Sequence, residues 1–325
     1  MKKNIAIVAG GDSSEVVVSL KSAAGLYSFM DKERYNIYIV TIVGKIWQVE
    51  WSDNEKIAID KNDFSFIRDD KRINFDFAYI TIHGTPGENG ILQGYFELIG
   101  LPYSCCGVLA AAVTFNKFTC NQYLKGFGVK VSESLILRKG QLVSNEEVAQ
   151  KIGFPCFVKP NVGGSSFGVT KVKTIEQVQP AIVNAFEEGD EVMIEAFIAG
   201  TEITCGIYKT KSKAQVLPVT EVVPKNEFFD FDAKYKGEVE EITPARISTP
   251  LTERVQKLTS VIYDILGCKG IVRIDYIISE GDVINLLEVN TTPGMTATSF
   301  IPQQIAAAGL DIKNVMTEII ENELS

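Results

Sequence analysis

A chain of 325 residues with 46% hydrophobic and 22% charged side chains has the composition of an ordinary globular enzyme and the length for two or three compact units. Its net charge of −9 argues against nucleic acid or an anionic membrane as a general partner, while leaving room for a local basic pocket. No apolar run reaches the roughly 20 residues that span a bilayer. Met1-Lys2-Lys3 leads straight into a strand-like run without signal-peptide features. The six cysteines form no C-x-x-C pair, so buried free thiols in a reducing cytoplasm are expected.

Residues 4–9 read as a short apolar strand ending in Gly10-Gly11-Asp12-Ser13-Ser14-Glu15, with a helix following to about Met30. Strand, glycines and helix N-terminus place backbone N–H groups and a helix dipole at a ligand, but many α/β proteins begin this way, and the G-x-G-x-x-G fingerprint is absent. Residues 35–43 and 75–82 are further strands. The second ends in His83-Gly84-Thr85-Pro86-Gly87-Glu88-Asn89-Gly90, before a helix over 91–99. Alternating strands and helices predict a parallel sheet, which binds ligands at the carboxyl ends of its strands. Glu15 and His83 both fall there. His83 is the only histidine. Most lone histidines are structural; its position in a glycine-rich loop at this edge favours function.

From about Ser104 the character changes. Residues 107–126 read as one helix with Lys117 near its middle, 134–137 as a strand, and 144–152 as a short helix with Ser144 and Glu147 forming a capping box. Residues 154–172 then give strand, glycine-rich loop and strand. Gly163 and Gly164 let backbone amides approach a phosphate, Ser165 and Ser166 add hydroxyls, and Lys159 can meet the phosphate charge. The Walker A sequence is absent. A plain hairpin with a flexible tip accounts for the glycines, but not for a Lys, two Ser and two Gly together. Residues 174–188 form a helix disturbed at Pro180. Residues 191–198 form a strand whose backbone can hydrogen-bond an adenine edge, with Glu202 placed for ribose hydroxyls. Strands follow over 201–208 and 215–223. Residues 225–242 are polar and aromatic with little period, as in a lid. In the helix over 249–266, Leu251, Val255, Leu258, Ile262 and Ile265 mark a core face.

Residues 271–278 and 283–289 read as two strands joined by Ser279-Glu280-Gly281-Asp282. With a two- or four-residue loop, odd residues of the first strand pair with even residues of the second. Arg273, Asp275, Glu288 and Asn290 then project from one side. An Asp, a Glu and an Asn amide form the oxygen-rich set that Mg²⁺ prefers, completed by phosphates and water. Arg273 cannot ligate, but it can neutralise charge on a phosphoryl group or an oxyanion. Asn290-Thr291-Thr292-Pro293-Gly294 turns the chain and offers N–H groups nearby. Taken by itself, the hairpin is equally well explained as a solvated face with a surface ion pair. Helices over 302–308 and 312–321 close the chain.

Five stretches in this order, GGDSSE, HGTPGENG, FVKPNVGGSSFGV, FFDFDAKY and RIDY…LLEVNTTPGMT, resemble the ATP-grasp superfamily and, within it, the D-alanine–D-alanine ligases, over nearly the whole length. The resemblance implies an α/β, three-domain ATP-grasp architecture. Residues 1–103 would form an N-terminal parallel-sheet substrate domain and 104–193 a central ATP-grasp subdomain. Residues 194–325 would form a C-terminal ATP-grasp and metal-binding domain with a lid at about 224–243. Lys117, Lys159 and Lys234 would contact ATP phosphates. Glu195, Ala196, Phe197, Ile198 and Leu287 would line the adenine pocket, with Glu202 on the ribose. Asp275, Glu288 and Asn290 would hold a pair of Mg²⁺ or Mn²⁺ ions. Glu15 would bind the first D-alanine amino group, His83 would help position that substrate, and Ser299 would bind the second D-alanine carboxylate. Arg273 and the Gly294 amide would stabilise the oxyanion, while Glu15, Ser165 and Tyr235 would close the lid through hydrogen bonds.

The implied activity is ATP-dependent ligation of two D-alanines through an acyl phosphate, for peptidoglycan precursors, by a cytoplasmic homodimer without nucleic-acid or membrane partners. Three positions depart from the family pattern: Asn89 for an acidic residue, Ala196 for a lysine, and Ala297-Thr298-Ser299-Phe300 for Ser-His-Ser. Ala196 removes a possible adenine contact. D-Lactate and D-serine are alternative second substrates, and Tyr235 favours a dipeptide product. Glu15, His83 and Ser299 match substrate-side motifs and speak against a more distant ATP-grasp ligase. Intact Asp275, Glu288, Asn290 and Arg273 speak against a decayed scaffold.

Overall fold

A computed structural model describes residues 2–13, 15–52, 55–164, 167–224 and 239–325. The first unit runs β1 (Lys3–Gly10), α1 (Val16–Phe29), β2 (Tyr35–Val43), β3 (Ile46–Ser52), β4 (Glu55–Ala58), a small hairpin of β5 (Phe66–Arg68) and β6 (Lys71–Ile73), β7 (Phe77–Ile80) and α2 (Ile91–Ile99). Its main sheet has the order β4-β3-β2-β1-β7. β1 is parallel to β2 and β7, as expected, and its run from Ile5 to Gly10 is buried, which explains its unbroken apolar sequence. β3 adds to this parallel core antiparallel to β2, and β4 pairs antiparallel with β3 at the edge. These short, partly exposed strands left no clear period in the sequence.

The second unit comprises α3 (Val108–Phe115), α4 (Lys117–Lys125), β8 (Ser134–Arg138), α5 (Asn145–Lys151), β9 (Cys156–Pro160), β10 (Thr170–Val172), α6 (Val178–Glu187) and β11 (Glu191–Ala196). Its antiparallel sheet has the order β10-β9-β11-β8. The single helix expected over 107–126 is two helices. Asn116 is extended (φ −91°, ψ 98°), and its side chain accepts from the Thr119 N–H, so Lys117 opens α4 instead of sitting mid-helix. Pro180 is the third residue of α6, where its missing N–H is not needed, and the helix continues undisturbed after one 3₁₀ turn.

The third unit contains β12 (Thr201–Lys209), β13 (Ala214–Pro224), β14 (Val239–Ile242), α7 (Thr249–Ile265), β15 (Ile271–Ser279), β16 (Val283–Asn290), α8 (Phe300–Ala307) and α9 (Ile312–Leu324). Its antiparallel sheet has the order β14-β13-β12-β15-β16. The end of the expected lid is therefore a strand, β14, paired with β13. Lys234 and Tyr235 lie outside the described residues, as does Ser165.

Apolar residues of α8 and α9, among them Ile301, Ile305 and Ile319, share one core with Ile5, Ile7 and Leu26 of the first unit. Met295 joins that core, and its N–H donates to Ser22 Oγ at 3.3 Å. A Cβ on Gly25 would lie 2.2 Å from the Met295 carbonyl oxygen, so α1 can approach this loop closely only with glycine there. The carboxyl ends of β1 and β7 are thereby held against the turn that follows β16. All six cysteines are free and buried, as expected. No helix among the described residues is long and apolar enough to cross a membrane.

Candidate active site

A cavity of about 740 Å³ opens where the three sheets meet. Its third-sheet wall is the β15–β16 hairpin. Arg273 pairs with Asn290 and Asp275 with Glu288, so these polar side chains share a face, as the alternation predicted. The route to that register differs from the expectation. Ser279 pairs with Val283, which leaves a three-residue loop, Glu280-Gly281-Asp282. Such a loop alone would pair odd with odd and turn Glu288 and Asn290 toward the core. One extra residue, Leu287, lies opposite the step between Asp275 and Tyr276 and restores the parity as a bulge. Leu287 itself reaches the cavity.

Asp275 is buried, and its carboxylate is held from all sides. Arg273 donates from Nε to Oδ1 at 2.9 Å and from Nη2 to Oδ2 at 2.8 Å. Thr204 Oγ1 donates to Oδ1 at 2.6 Å and Asn290 Nδ2 to Oδ2 at 3.0 Å. Arg273 also lies 4.0 Å from Glu288 and over the Phe300 ring at 5.3 Å. Burial works against the Arg273 charge, but Asp275 more than offsets it, with help from Glu288, and the guanidinium stays above its ordinary range. This is a buried ion pair facing a cavity, not a solvated hairpin face.

Among the described residues no cluster of three or more His, Cys, Asp or Glu side chains forms a preformed metal centre. The fit to a hard cation rests instead on the Asp275 and Glu288 carboxylates on the cavity wall and the Asn290 amide beside Asp275, with phosphate and water oxygens to complete the shell. Asp275 already accepts four hydrogen bonds, so a cation would have to displace one of these donors to be held by it. The carbonyl oxygen of the Asn290 amide would be a ligand for the same ion. The residues present therefore fit a divalent cation that arrives with a polyphosphate.

Opposite this face stand the lysines. Lys159, at the end of β9, is buried and ion-paired with the buried Glu195. Lys117 Nζ donates to the Gly163 carbonyl. Burial pushes the Lys117 ammonium below the ordinary lysine range; Glu288 opposes the shift and Lys159 adds to it. Glu195, Phe197, Ile198 and Glu202 line the cavity. Ala196 does not: its N–H donates to the Glu133 carbonyl at 2.9 Å, and its C=O accepts from Ser132 Oγ. Both backbone groups that could meet an adenine edge are engaged within the protein.

The first unit supplies the remaining wall. A Cβ on Gly164 would lie 2.9 Å from either carboxylate oxygen of Glu15. Glu15 therefore rests directly on the glycine-rich loop, and this explains the missing side chain at Gly164. His83 is buried, and its Nε2 has no hydrogen-bond partner among the described residues. Gly294 and Ser299 sit together, since a Cβ on Gly294 would lie 3.0 Å from Ser299 Oγ. Ser299 Oγ accepts from the Thr296 N–H at 3.1 Å at the start of α8. Neither residue lines the cavity itself.

Three structural contributors were not singled out from the sequence. Thr204 faces Asp275 across the β12–β15 pairing, and alternation from Glu202 places it on that face. Glu88 accepts from the Gly84 N–H and from Thr292 Oγ1, each at 2.7 Å, and so ties the His83 loop to the turn after β16. Burial pushes the Glu88 carboxyl up, against the pull of His83 and these two donors. Gln304, fully buried on α8, accepts from the Gly206 N–H at 2.9 Å and donates to the Thr204 carbonyl and to Thr220 Oγ1. It satisfies the backbone where the β12–β13 register shifts. Nothing in a helical glutamine signals such a role.

Two family descriptions match the chain: D-ala D-ala ligase N-terminus over residues 4–106 and D-ala D-ala ligase C-terminus over residues 123–321. A D-alanine–D-alanine ligase of Bacteroides fragilis is 71% identical over 323 residues, 99% of this chain and 100% of the relative. Among solved structures, the VanG D-Ala:D-Ser ligase from Enterococcus faecalis superposes with a TM-score of 0.87 at 29% identity, covering 99% of this chain and 100% of that one. The D-alanine–D-alanine ligase from Bacillus anthracis complexed with ATP superposes with a TM-score of 0.77 at 30% identity, covering 99% and 97%. With likeness of this extent to relatives of the same fold, the chain belongs to the D-alanine–D-alanine ligase family of ATP-dependent carboxylate–amine ligases.

Proposed function

We propose that the chain joins two D-alanine molecules into D-alanyl-D-alanine while converting ATP to ADP and phosphate, through an acyl phosphate. The observation that carries this reading is the convergence on one cavity of the Asp275–Glu288 face, the Arg273 guanidinium, Lys117 and Lys159, and the Glu15 carboxylate resting on the glycine-rich loop. The three domains are residues 1–103, 104–193 and 194–325. The product serves peptidoglycan precursor synthesis in the cytoplasm, and the working unit is a homodimer.

A carboxylate is a poor electrophile, and ATP cleavage overcomes this. Glu15 holds the ammonium of the first D-alanine, and the buried Nε2, which has no partner among the described residues, supports a positioning contact from His83. The substrate carboxylate oxygen attacks the γ-phosphorus, the bond to the ADP oxygen breaks, and an acyl phosphate forms. Lys117 and Lys159, joined by Lys234 of the lid, offset the phosphate charge that would repel the attacking carboxylate. Asp275, Glu288 and Asn290 would hold the Mg²⁺ or Mn²⁺ pair, which when bound neutralises charge on the phosphate oxygens.

The deprotonated amine of the second D-alanine, its carboxylate on Ser299, then attacks the acyl carbon. Arg273 and the Gly294 N–H stabilise the oxyanion until phosphate leaves. Glu202 meets the ribose, with Glu195, Phe197, Ile198 and Leu287 around the adenine. Glu15, Ser165 and Tyr235 link to hold the lid over the water-sensitive intermediate. The test is ADP release with ATP and Mg²⁺ in the presence of D-alanine, L-alanine or no amino acid, with the product weighed. D-Alanine-dependent release with dipeptide formation is expected. Release without dipeptide would reassign the second substrate, and no D-alanine dependence would overturn the reading.

A further inference from the structure

We propose that Asn161 is a positioning residue that sets the two phosphate-facing lysines, Lys117 and Lys159, at a fixed spacing; this rests on their reading as ATP-phosphate contacts. Asn161 is fully buried and lies two residues beyond Lys159. Its carbonyl accepts from the Lys117 N–H at 3.1 Å, and its Oδ1 accepts from the Phe118 N–H at 2.8 Å. Asn116 Oδ1 accepts from the Thr119 N–H at 2.9 Å. The first three N–H groups of α4, which have no acceptor within the helix, are thus all taken by two asparagines. Lys117 therefore faces the cavity with its side chain alone.

Glu191 fixes both amides. Its Oε2 accepts from Asn161 Nδ2 at 2.7 Å and from Asn116 Nδ2 at 3.1 Å, and its carbonyl accepts from the Asn161 N–H at 2.9 Å. Arg138 Nε holds the other oxygen at 3.0 Å. The carboxylate requires the NH₂ group of each amide to face it, so each amide oxygen must face the helix. Through this cluster the Asn161 side chain joins the loop leading from Lys159 to the first turn of the helix that carries Lys117. Ordering the loop orders the helix end, and the two ammonium groups move as one unit.

The test uses the full chain and reads ADP affinity by calorimetry, beside the KM values for ATP and D-alanine. Asn161→Asp keeps the shape and the acceptor for Phe118, but sets a carboxylate oxygen against Glu191. ADP affinity and the KM for ATP should each worsen about tenfold, with the KM for D-alanine within about twofold of the parent. Glu191→Gln alone should also weaken ADP binding. Combined with Asn161→Asp it restores a donor–acceptor pair of reversed polarity, so the double variant should bind ADP better than either single one. Asn161→Ala, which removes the side-chain bonds to Phe118 and Glu191 without a charge clash, should lose about fivefold and serves if the aspartate variant does not fold. ADP affinity within twofold of the parent in these variants, or a double variant no better than the worse single one, would overturn the proposal. A parent chain that binds ADP but ligates no D-alanine would instead overturn the function proposed above, with the binding test still able to decide this inference.

Discussion

Replacing Arg273 by methionine separates the structural from the chemical demand on this side chain. The guanidinium makes two hydrogen bonds to Asp275 and sits 4.0 Å from Glu288, and both members of the Arg273–Asp275 pair are about nine-tenths buried. Removing one partner of a buried pair costs roughly 3–5 kcal/mol. For a chain of this size, at roughly 0.7 kcal/mol/K of unfolding entropy, that lowers the melting temperature by about 4–7 °C. If Arg273 also stabilises the oxyanion, kcat falls by roughly 10²–10³. Divalent-cation affinity moves the opposite way. Asp275 is freed from its bidentate partner, and two carboxylates now face each other, so Mn²⁺ followed by electron paramagnetic resonance should bind more tightly in Arg273→Met than in the parent. Turnover within threefold of the parent, or weaker Mn²⁺ binding, would refute the assignment; a lower melting temperature alone would leave Arg273 a structural residue.

Three further outcomes are expected. Asp275→Asn combined with Glu288→Gln should abolish metal-dependent ligation and Mn²⁺ binding together, and ligation surviving the pair would disprove the metal assignment. Gln304→Leu strips partners from the Gly206 N–H, the Thr204 carbonyl and Thr220 Oγ1, which at roughly 1–2 kcal/mol each lowers the melting temperature by about 4–8 °C, checked by calorimetry. Because burial holds the Lys117 ammonium below the ordinary lysine range, the ADP affinity its charge contributes is lost as pH rises through that lowered pKa, before an ordinary lysine would lose its charge. ADP titrations up to pH 10 should show this weakening, and Lys117→Gln should flatten it; an unchanged slope in the variant would assign the effect to another group.

The sequence carried the site where strand period alone decides geometry. Arg273, Asp275, Glu288 and Asn290 share a face because side chains alternate, even though the parity comes from a three-residue loop plus the Leu287 bulge instead of an even loop. Glycine patterning likewise pointed to the loop that Glu15 rests upon. What stayed hidden depends on contacts remote in sequence. The break at Asn116 is defined by Asn161 and Glu191, which no helical pattern announces. The engagement of Ala196 depends on Ser132 and Glu133, and the roles of Thr204, Glu88 and Gln304 depend on partners 71, 204 and 84 to 100 positions away. The assignments of Ser165, Lys234 and Tyr235 fall outside the described residues and rest on the family resemblance.

The acyl phosphate is the centre of this account, and isotope transfer tests it most directly. D-Alanine labelled with ¹⁸O in both carboxylate oxygens is supplied with ATP and Mg²⁺, and the inorganic phosphate is weighed. If the carboxylate attacks the γ-phosphorus, one labelled oxygen leaves with phosphate for every dipeptide formed. Phosphate free of label, with dipeptide accumulating, would mean that the carboxylate is activated by another route.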